Sequence, residues 1–177
     1  MPQDQQNISQ RNRTVSWNDP MVGAAAARNM SGLDYLRAIE TGEIPPPPIA
    51  KLLGFSLKQV DSGHAVFELE PAEYHYNPIG MVHGGVASTV LDSAMGCAVH
   101  STLPAGTGYS TVELKTNFIR PLSTQTGTLR CEASVIYTGG RIATAEGKLV
   151  DKDGKLYAHA TTTCIIFRPS KEMRKEE

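Results

Sequence analysis

Asn77, His83, Gly84, Gly85 and Asp92 stand in the order Asn-x5-His-Gly-Gly-x6-Asp. Asp92 is the first candidate for chemistry. Val86, Ala87, Val90, Leu91, Ala94, Met95, Ala98 and Val99 recur at i, i+1, i+4 and i+5, the broad apolar stripe of a buried helix. Asp92 lies at the edge of that stripe, with no Lys or Arg three or four residues away to neutralise it. It is too deep in the helix to cap the N-terminus. A carboxylate so placed costs free energy unless another chain, a ligand or water satisfies it. It could serve as a general base or a nucleophile.

The start of the same helix offers the complementary chemistry. Two glycines there weaken the helix by roughly 1 kcal/mol each relative to alanine, which makes sense where something must approach the backbone closely. Free N–H groups and a partial positive charge at a helix start suit a developing oxyanion. Tight packing of helix on sheet is the competing reason for the glycines. For His83 a capping or loop-bonding role ranks above a catalytic one. Gly84 and Asp92 are eight positions apart, about 12 Å along a helix at 1.5 Å per residue. Reacting groups must come within roughly 3–3.5 Å. One helix therefore cannot present both to one carbonyl, but two antiparallel helices from two subunits can, with two equivalent sites about a two-fold axis.

The elements around this helix follow from pattern. Phe55 to Val60 and His64 to Glu70 alternate with period two and flank Asp61-Ser62-Gly63, a hairpin signal. Pro104-Ala105-Gly106 ends the helix near His100 to Leu103. Four strands are predicted after it: Tyr109 to Ile119, Thr126 to Tyr137, Arg141 to Val150 and Leu156 to Phe167, with hairpin chemistry at Gly139-Gly140 and Asp153-Gly154. The order β-β-α-β-β-β-β implies an α+β fold, an antiparallel sheet of about six strands covered by one long central helix.

Residues 1–48 are expected to be an extension, residues 49–168 the domain and residues 169–177 a charged tail. Met1 to Val15 has little to bury and reads as disordered. Asp19-Pro20 fits a helix cap followed by Pro at the first helical position, opening a helix over Met21 to Asn29. Ser31 to Asp34 matches a capping box for a second helix ending near Gly42. Pro45 to Pro48 reads as an extended connector.

Composition narrows the function classes. The chain has 177 residues and a formal net charge of −1, so no nucleic-acid or membrane footprint is visible. Cys97, Cys131 and Cys164 are well separated, without a CxxC; they read as buried apolar residues in a reducing compartment rather than disulfides or a zinc site. The N-terminus lacks an apolar signal core, and no run approaches the ~20 apolar residues of a spanning helix. A cytoplasmic location is expected.

The run Asn77 to Asp92, the strand Ser110 to Pro121 and the Gly139-Gly140-Arg141 turn resemble the hotdog-fold acyl-CoA thioesterases. The subgroup is the phenylacetate-degradation (PaaI-like) type, related to the 4-hydroxybenzoyl-CoA thioesterases. The resemblance covers roughly Ile49 to Phe167. It implies a helix wrapped by a sheet, and dimers joined sheet edge to sheet edge, themselves paired into tetramers. Carried over by position, Asp92 is nucleophile or general base, and the Gly84 N–H polarises the thioester carbonyl. Asn77 orients carbonyl or water, and His83 supports the loop beside Gly85. Thr111 matches a position that often holds a supporting hydroxyl. Coenzyme A would enter as part of the substrate, with no metal or redox cofactor. Arg141 is the candidate for its phosphates, ahead of Lys115 and Arg120. Tyr76 and Met81, with Tyr74 and His75, are candidate walls for the acyl group.

The expected function is therefore hydrolysis of an acyl-CoA thioester at a site shared between subunits. The alternatives are a non-catalytic acyl-CoA-binding hotdog module, a hotdog dehydratase of 3-hydroxyacyl thioesters using His83 with Asp92, and a plain interaction protein with Asp92 facing solvent.

Overall fold

A computed structural model describes residues 9–168. Six antiparallel strands form one sheet in the order β1-β2-β4-β5-β6-β3: β1 (Phe55–Asp61), β2 (His64–Leu69), β3 (Gly108–Phe118), β4 (Leu129–Thr138), β5 (Ile142–Val150) and β6 (Leu156–Phe167). The long helix α4 (Gly84–His100) lies across one face. This is the antiparallel sheet covered by one long helix that the strand order predicts, in the hotdog arrangement that the resemblance implies. Among the described residues, no helix is long and apolar enough to cross a membrane.

The helix stripe explains the packing. Val90, Leu91, Ala94 and Met95 are fully buried against the sheet's Leu69, Leu129, Cys131, Ala145 and Leu149. Close approach depends on Gly147 of β5, where a Cβ would stand 3.1 Å from Met95 Cγ and 3.3 Å from Leu91 Cδ2. Truncating Leu91 to alanine would cost about 2–5 kcal/mol, the usual range for emptying such a position.

Strand β3 is an edge strand, bonded only to β6. Its register shifts between Thr111 and Glu113. This bulge puts two successive residues, Val112 and Glu113, on the exposed side. Tyr109 and Thr111 before it and Leu114 and Thr116 after it therefore share the helix-facing side. Simple alternation along the strand would have placed Thr111 with Glu113 and Lys115 instead.

The extension is built on the caps that the sequence carries. In α1 (Pro20–Asn29) the Asp19 carboxylate accepts from the Met21 N–H at 2.9 Å. In α2 (Gly32–Thr41) Ser31 Oγ accepts from the Asp34 N–H, and Gly42 ends the helix at φ 84°. Two expectations are revised. The proline connector stops at Pro47, because Pro48 opens a short helix, α3 (Pro48–Leu53); the fixed φ of proline suits a first helical position. The expected boundary at residue 48 thus falls at a helix start. Strand β4 begins at Leu129 rather than Thr126, since Thr124–Thr126 forms a 3-10 turn closed by Gly127 at φ 75°.

Part of the segment expected to be disordered lies against the domain. Arg13 sits 3.7 Å from the Tyr74 ring centroid and donates to the Leu52 and Lys51 carbonyls. Arg11 pairs with Glu73 at 3.1 Å. Stacking and carbonyl bonds at Arg13 and an ion pair at Arg11 replace the apolar burial that this segment lacks. Residues 1–8 and the tail 169–177 fall outside the described residues.

Candidate active site

The loop before α4 is held by its own backbone and one side chain. The Asn77 Oδ1 accepts from the Ile79 and Met81 N–H groups at 3.1 and 3.2 Å. The Asn77 N–H donates to the Met81 carbonyl at 2.7 Å, and Gly80 turns the chain at φ 79°. Val82 and His83 then donate to the Leu122 and His75 carbonyls at 2.9 and 2.8 Å. Asn77 therefore shapes the loop with its oxygen, which leaves its NH2 group for a ligand.

His83 is the helix cap. Its Nδ1 accepts from the Gly85 N–H at 2.9 Å. Glycine is needed at 85 because a Cβ there would stand 2.9 Å from that same nitrogen. At Gly84 a Cβ would face the Phe118 ring at 3.0 Å. The Gly84 N–H has no acceptor among the described residues, as expected for the first position of a helix. It opens on a cleft of about 540 Å³, lined by Asn77, Met81, Gly84, Phe118 and Arg120 among others.

Asp92 is half-buried at mid-helix. The Thr111 hydroxyl donates to its Oδ1 at 2.9 Å, and the carboxylate forms no ion pair among the described residues. The other ionisable groups nearby are held neutral. Burial, with Asp92 adding to it, pushes the Cys97 thiol up to about 12. Burial also holds the Tyr109 phenol well above its ordinary range. Neither this thiol nor this phenol is therefore an ionised competitor to Asp92.

The structure gathers Asn77, Met81, His83, Gly84 and Gly85 at the start of α4, and pairs Asp92 with Thr111 two turns further on. It does not bring Tyr76 to the cleft lining: its phenol accepts from the Thr124 N–H at 3.0 Å and bonds the Thr124 hydroxyl at 3.1 Å. His75 is buried, its Nδ1 accepting from the Ala72 N–H and its Nε2 bonded to the Leu53 carbonyl. Tyr74 lies under Arg13. Arg141 is exposed in the β4–β5 turn, and its carbonyl accepts from Ile166, at the sheet end remote from Gly84. Arg120, ranked behind it, lines the Gly84 cleft. Phe118 and Leu122 of that lining were not anticipated. Their distance from the motif in sequence left no local signal.

Among the described residues, no cluster of three or more His, Cys, Asp or Glu is placed to hold a metal ion.

Residues 79–158 match the family model described as the thioesterase superfamily. An esterase-named protein of Saccharolobus solfataricus is 30% identical over 135 residues, covering 76% of this chain and 94% of its own. A 1,4-dihydroxy-2-naphthoyl-CoA hydrolase of Listeria monocytogenes is 24% identical over 123 residues, covering 70% and 98%. The solved structure of a phenylacetic acid degradation-related protein from Ralstonia eutropha superposes with a TM-score of 0.67 at 34% identity. It covers 74% of this chain and 98% of that one.

Proposed function

Because this chain belongs to the hotdog-fold thioesterase superfamily, in its PaaI-like branch, we propose that it hydrolyses acyl-CoA thioesters at a site built by two subunits. One observation carries this reading. An unclaimed N–H at Gly84 and a carboxylate at Asp92 lie on one helix, about 12 Å apart by helical rise. Both are backed by the same edge strand, Gly84 by Phe118 and Asp92 by Thr111.

That strand says how two copies would meet. Val112, Phe118 and Ile119 on and just beyond β3 are 58%, 57% and 47% exposed, an apolar edge that a lone subunit leaves open. Antiparallel pairing of β3 with its copy continues the sheet. With the bulge at Val112–Glu113 counted as one position, a two-fold axis at Lys115 sets Leu114 opposite the partner's Thr116 and Thr111 opposite the partner's Phe118. Both face the helix side, so Asp92 of one chain comes to Gly84 of the other.

Asp92 either attacks the thioester carbonyl carbon itself or takes a proton from the water whose oxygen attacks it. The thioester carbonyl becomes a tetrahedral oxyanion, which the Gly84 N–H and the start of α4 stabilise. Collapse breaks the C–S bond and releases coenzyme A thiolate, which takes up a proton; where Asp92 itself attacked, water then opens the mixed anhydride to the free acid and the regenerated carboxylate. This chemistry uses no metal or redox group. Arg120, in the cleft, and Arg141 are the candidates to meet the nucleotide phosphates.

The test has two parts. Released thiol is measured over short, medium, long and aryl acyl-CoAs; absence of turnover on all of them would refute the reading. Inactive Asp92→Asn and Gly84→Pro chains are then mixed. After random subunit exchange about half the dimers are mixed, each with one intact site, so activity recovers to roughly a quarter of wild type. Exchange proven by mass spectrometry with no recovered activity would rule out the shared site.

A further inference from the structure

Beyond Asp92, α4 runs on for two more turns, and the extension closes over its end. Gly32 of α2 is packed so tightly that a Cβ would lie 1.8 Å from the His100 carbonyl oxygen. The Gly32 N–H donates to the Leu103 carbonyl at 2.9 Å. From this anchored helix Tyr35 projects onto His100, with ring centroids 5.5 Å apart, and His100 in turn meets Tyr109 at 5.5 Å. The Tyr109 hydroxyl end fills the space that a side chain at position 96 would take: a Cβ on Gly96 would stand 2.6 Å from the Oη. Gly96 is one turn past Asp92, about 6 Å along the helix. Tyr109 and Thr111 share a side of β3, so this phenol stands next in line behind the Asp92–Thr111 pair. On the far side of Tyr109 lies a second cleft of about 320 Å³, lined by Ala27, Arg28, His100, Thr107 and Tyr109. The Tyr109 ring thus touches both the helix at Gly96 and the open space under α1.

We propose that the N-terminal extension limits the acyl group: Tyr109, seated on Gly96 and backed by His100 and Tyr35, is a stop that admits compact acyl groups and excludes long chains. The proposal rests on Asp92 marking the thioester position. It adds that the substrate's acyl end points along α4 toward Gly96. A group of a few carbons or a single ring fits within one helical turn, whereas a long chain would have to displace Tyr109.

The experiment compares butanoyl- and decanoyl-CoA as substrates, and the S-butyl and S-decyl thioethers of coenzyme A as non-hydrolysable ligands. The proteins are the wild type, Tyr109→Ala and Tyr35→Ala. In wild type the longer chain gains nothing in kcat/KM or in Kd. In either variant the decyl-to-butyl ratio rises by about tenfold or more, because a chain admitted to an apolar pocket gains affinity with each added methylene. Tyr35 is only half-buried, on the extension, so its variant carries the test if Tyr109→Ala does not fold. Hydrolysis with no length limit in wild type, or with a ratio unchanged in the variants, overturns the stop and leaves the thioesterase reading intact. Length-limited thioether binding that the variants relieve, without hydrolysis, supports the stop and overturns the hydrolytic reading. Neither hydrolysis nor thioether binding overturns both.

Discussion

The two ends of α4 are built from the same small residue to opposite effect. At the N-terminal end, Gly84 and Gly85 leave backbone bare beside a cleft, and a loop of hydrogen bonds from Asn77 to His83 fixes where that backbone points. At the C-terminal end, Gly96 is filled by Tyr109, while Gly32 lets α2 seat on the His100 carbonyl. One end is open and set by backbone; the other is closed, aromatic and set by packing. Glycine alone therefore does not mark a ligand site. What fills the space it leaves decides the matter, and at the first end that is a cap and one ring edge.

The contrast can be broken most severely at the carboxylate between the ends. Asp92→Asn should lower kcat by roughly a hundredfold or more with an unchanged fold, since the amide keeps the shape but neither attacks nor takes a proton. Near-normal turnover in a folded protein would remove Asp92 from the chemistry. Next is the open end. Gly84→Pro deletes the N–H, and loss of one oxyanion donor costs about 10²–10³ in kcat. Gly84→Ala is its partner measurement, because it keeps the N–H yet adds the same Cβ against Phe118. If Ala and Pro reduce kcat equally, crowding of Phe118 is the cause and the N–H has no role.

A smaller effect is expected at Thr111. Removing a hydrogen bond to a charged group costs about 1.5–3 kcal/mol; if part of this is felt in the transition state, Thr111→Val drops kcat about tenfold. Thr111→Ser should restore most of it. Near-normal kcat in Thr111→Val would mean that the hydroxyl has no role, and a drop confined to Thr111→Ser would point to the methyl group. The mildest change is at the cap. His83→Ala should cost about 1 kcal/mol of stability, or about 2–4 °C in Tm for a chain of this size, and His83→Asn should regain it. Thermal denaturation of the two variants decides whether His83 is mainly a cap.

Much of this was legible from residues alone. The apolar stripe placed α4, and Asp92 stood out because its own turn held no partner. His83 followed by two glycines read as a helix start with a capping side chain. What stayed hidden depends on contacts between distant elements. Thr124 claims the Tyr76 phenol across 48 positions, and Phe118 lies under Gly84 from the far end of β3. Periodicity says which face of an element is buried, not which ring of another element meets it. The helix at Pro48 was masked by its neighbours, since a run of four prolines reads as extended although the last suits a helix start. Arg11 and Arg13 fell in the segment read as disordered, because an ion pair with Glu73, stacking on Tyr74 and bonding to the end of α3 leave no pattern in a short polar stretch.

The bulge in β3 bears on how this sequence can change over time. A strand that merely alternates tolerates substitution on its outer side and punishes any change of length along its whole extent. Here the extra residue divides β3 into two segments that are out of step by one. Seven positions separate Thr111 from Phe118, an odd number that plain alternation would set on opposite faces, and the bulge returns them to one. Pairing passes from Thr111 to Glu113 without Val112, so a chain lacking Val112 would reach the same placement by plain alternation. Length at this point can therefore change by one residue without unlinking the carboxylate from its hydroxyl or unmaking the sheet, a freedom that neither stability nor hydrophobic pattern would reveal.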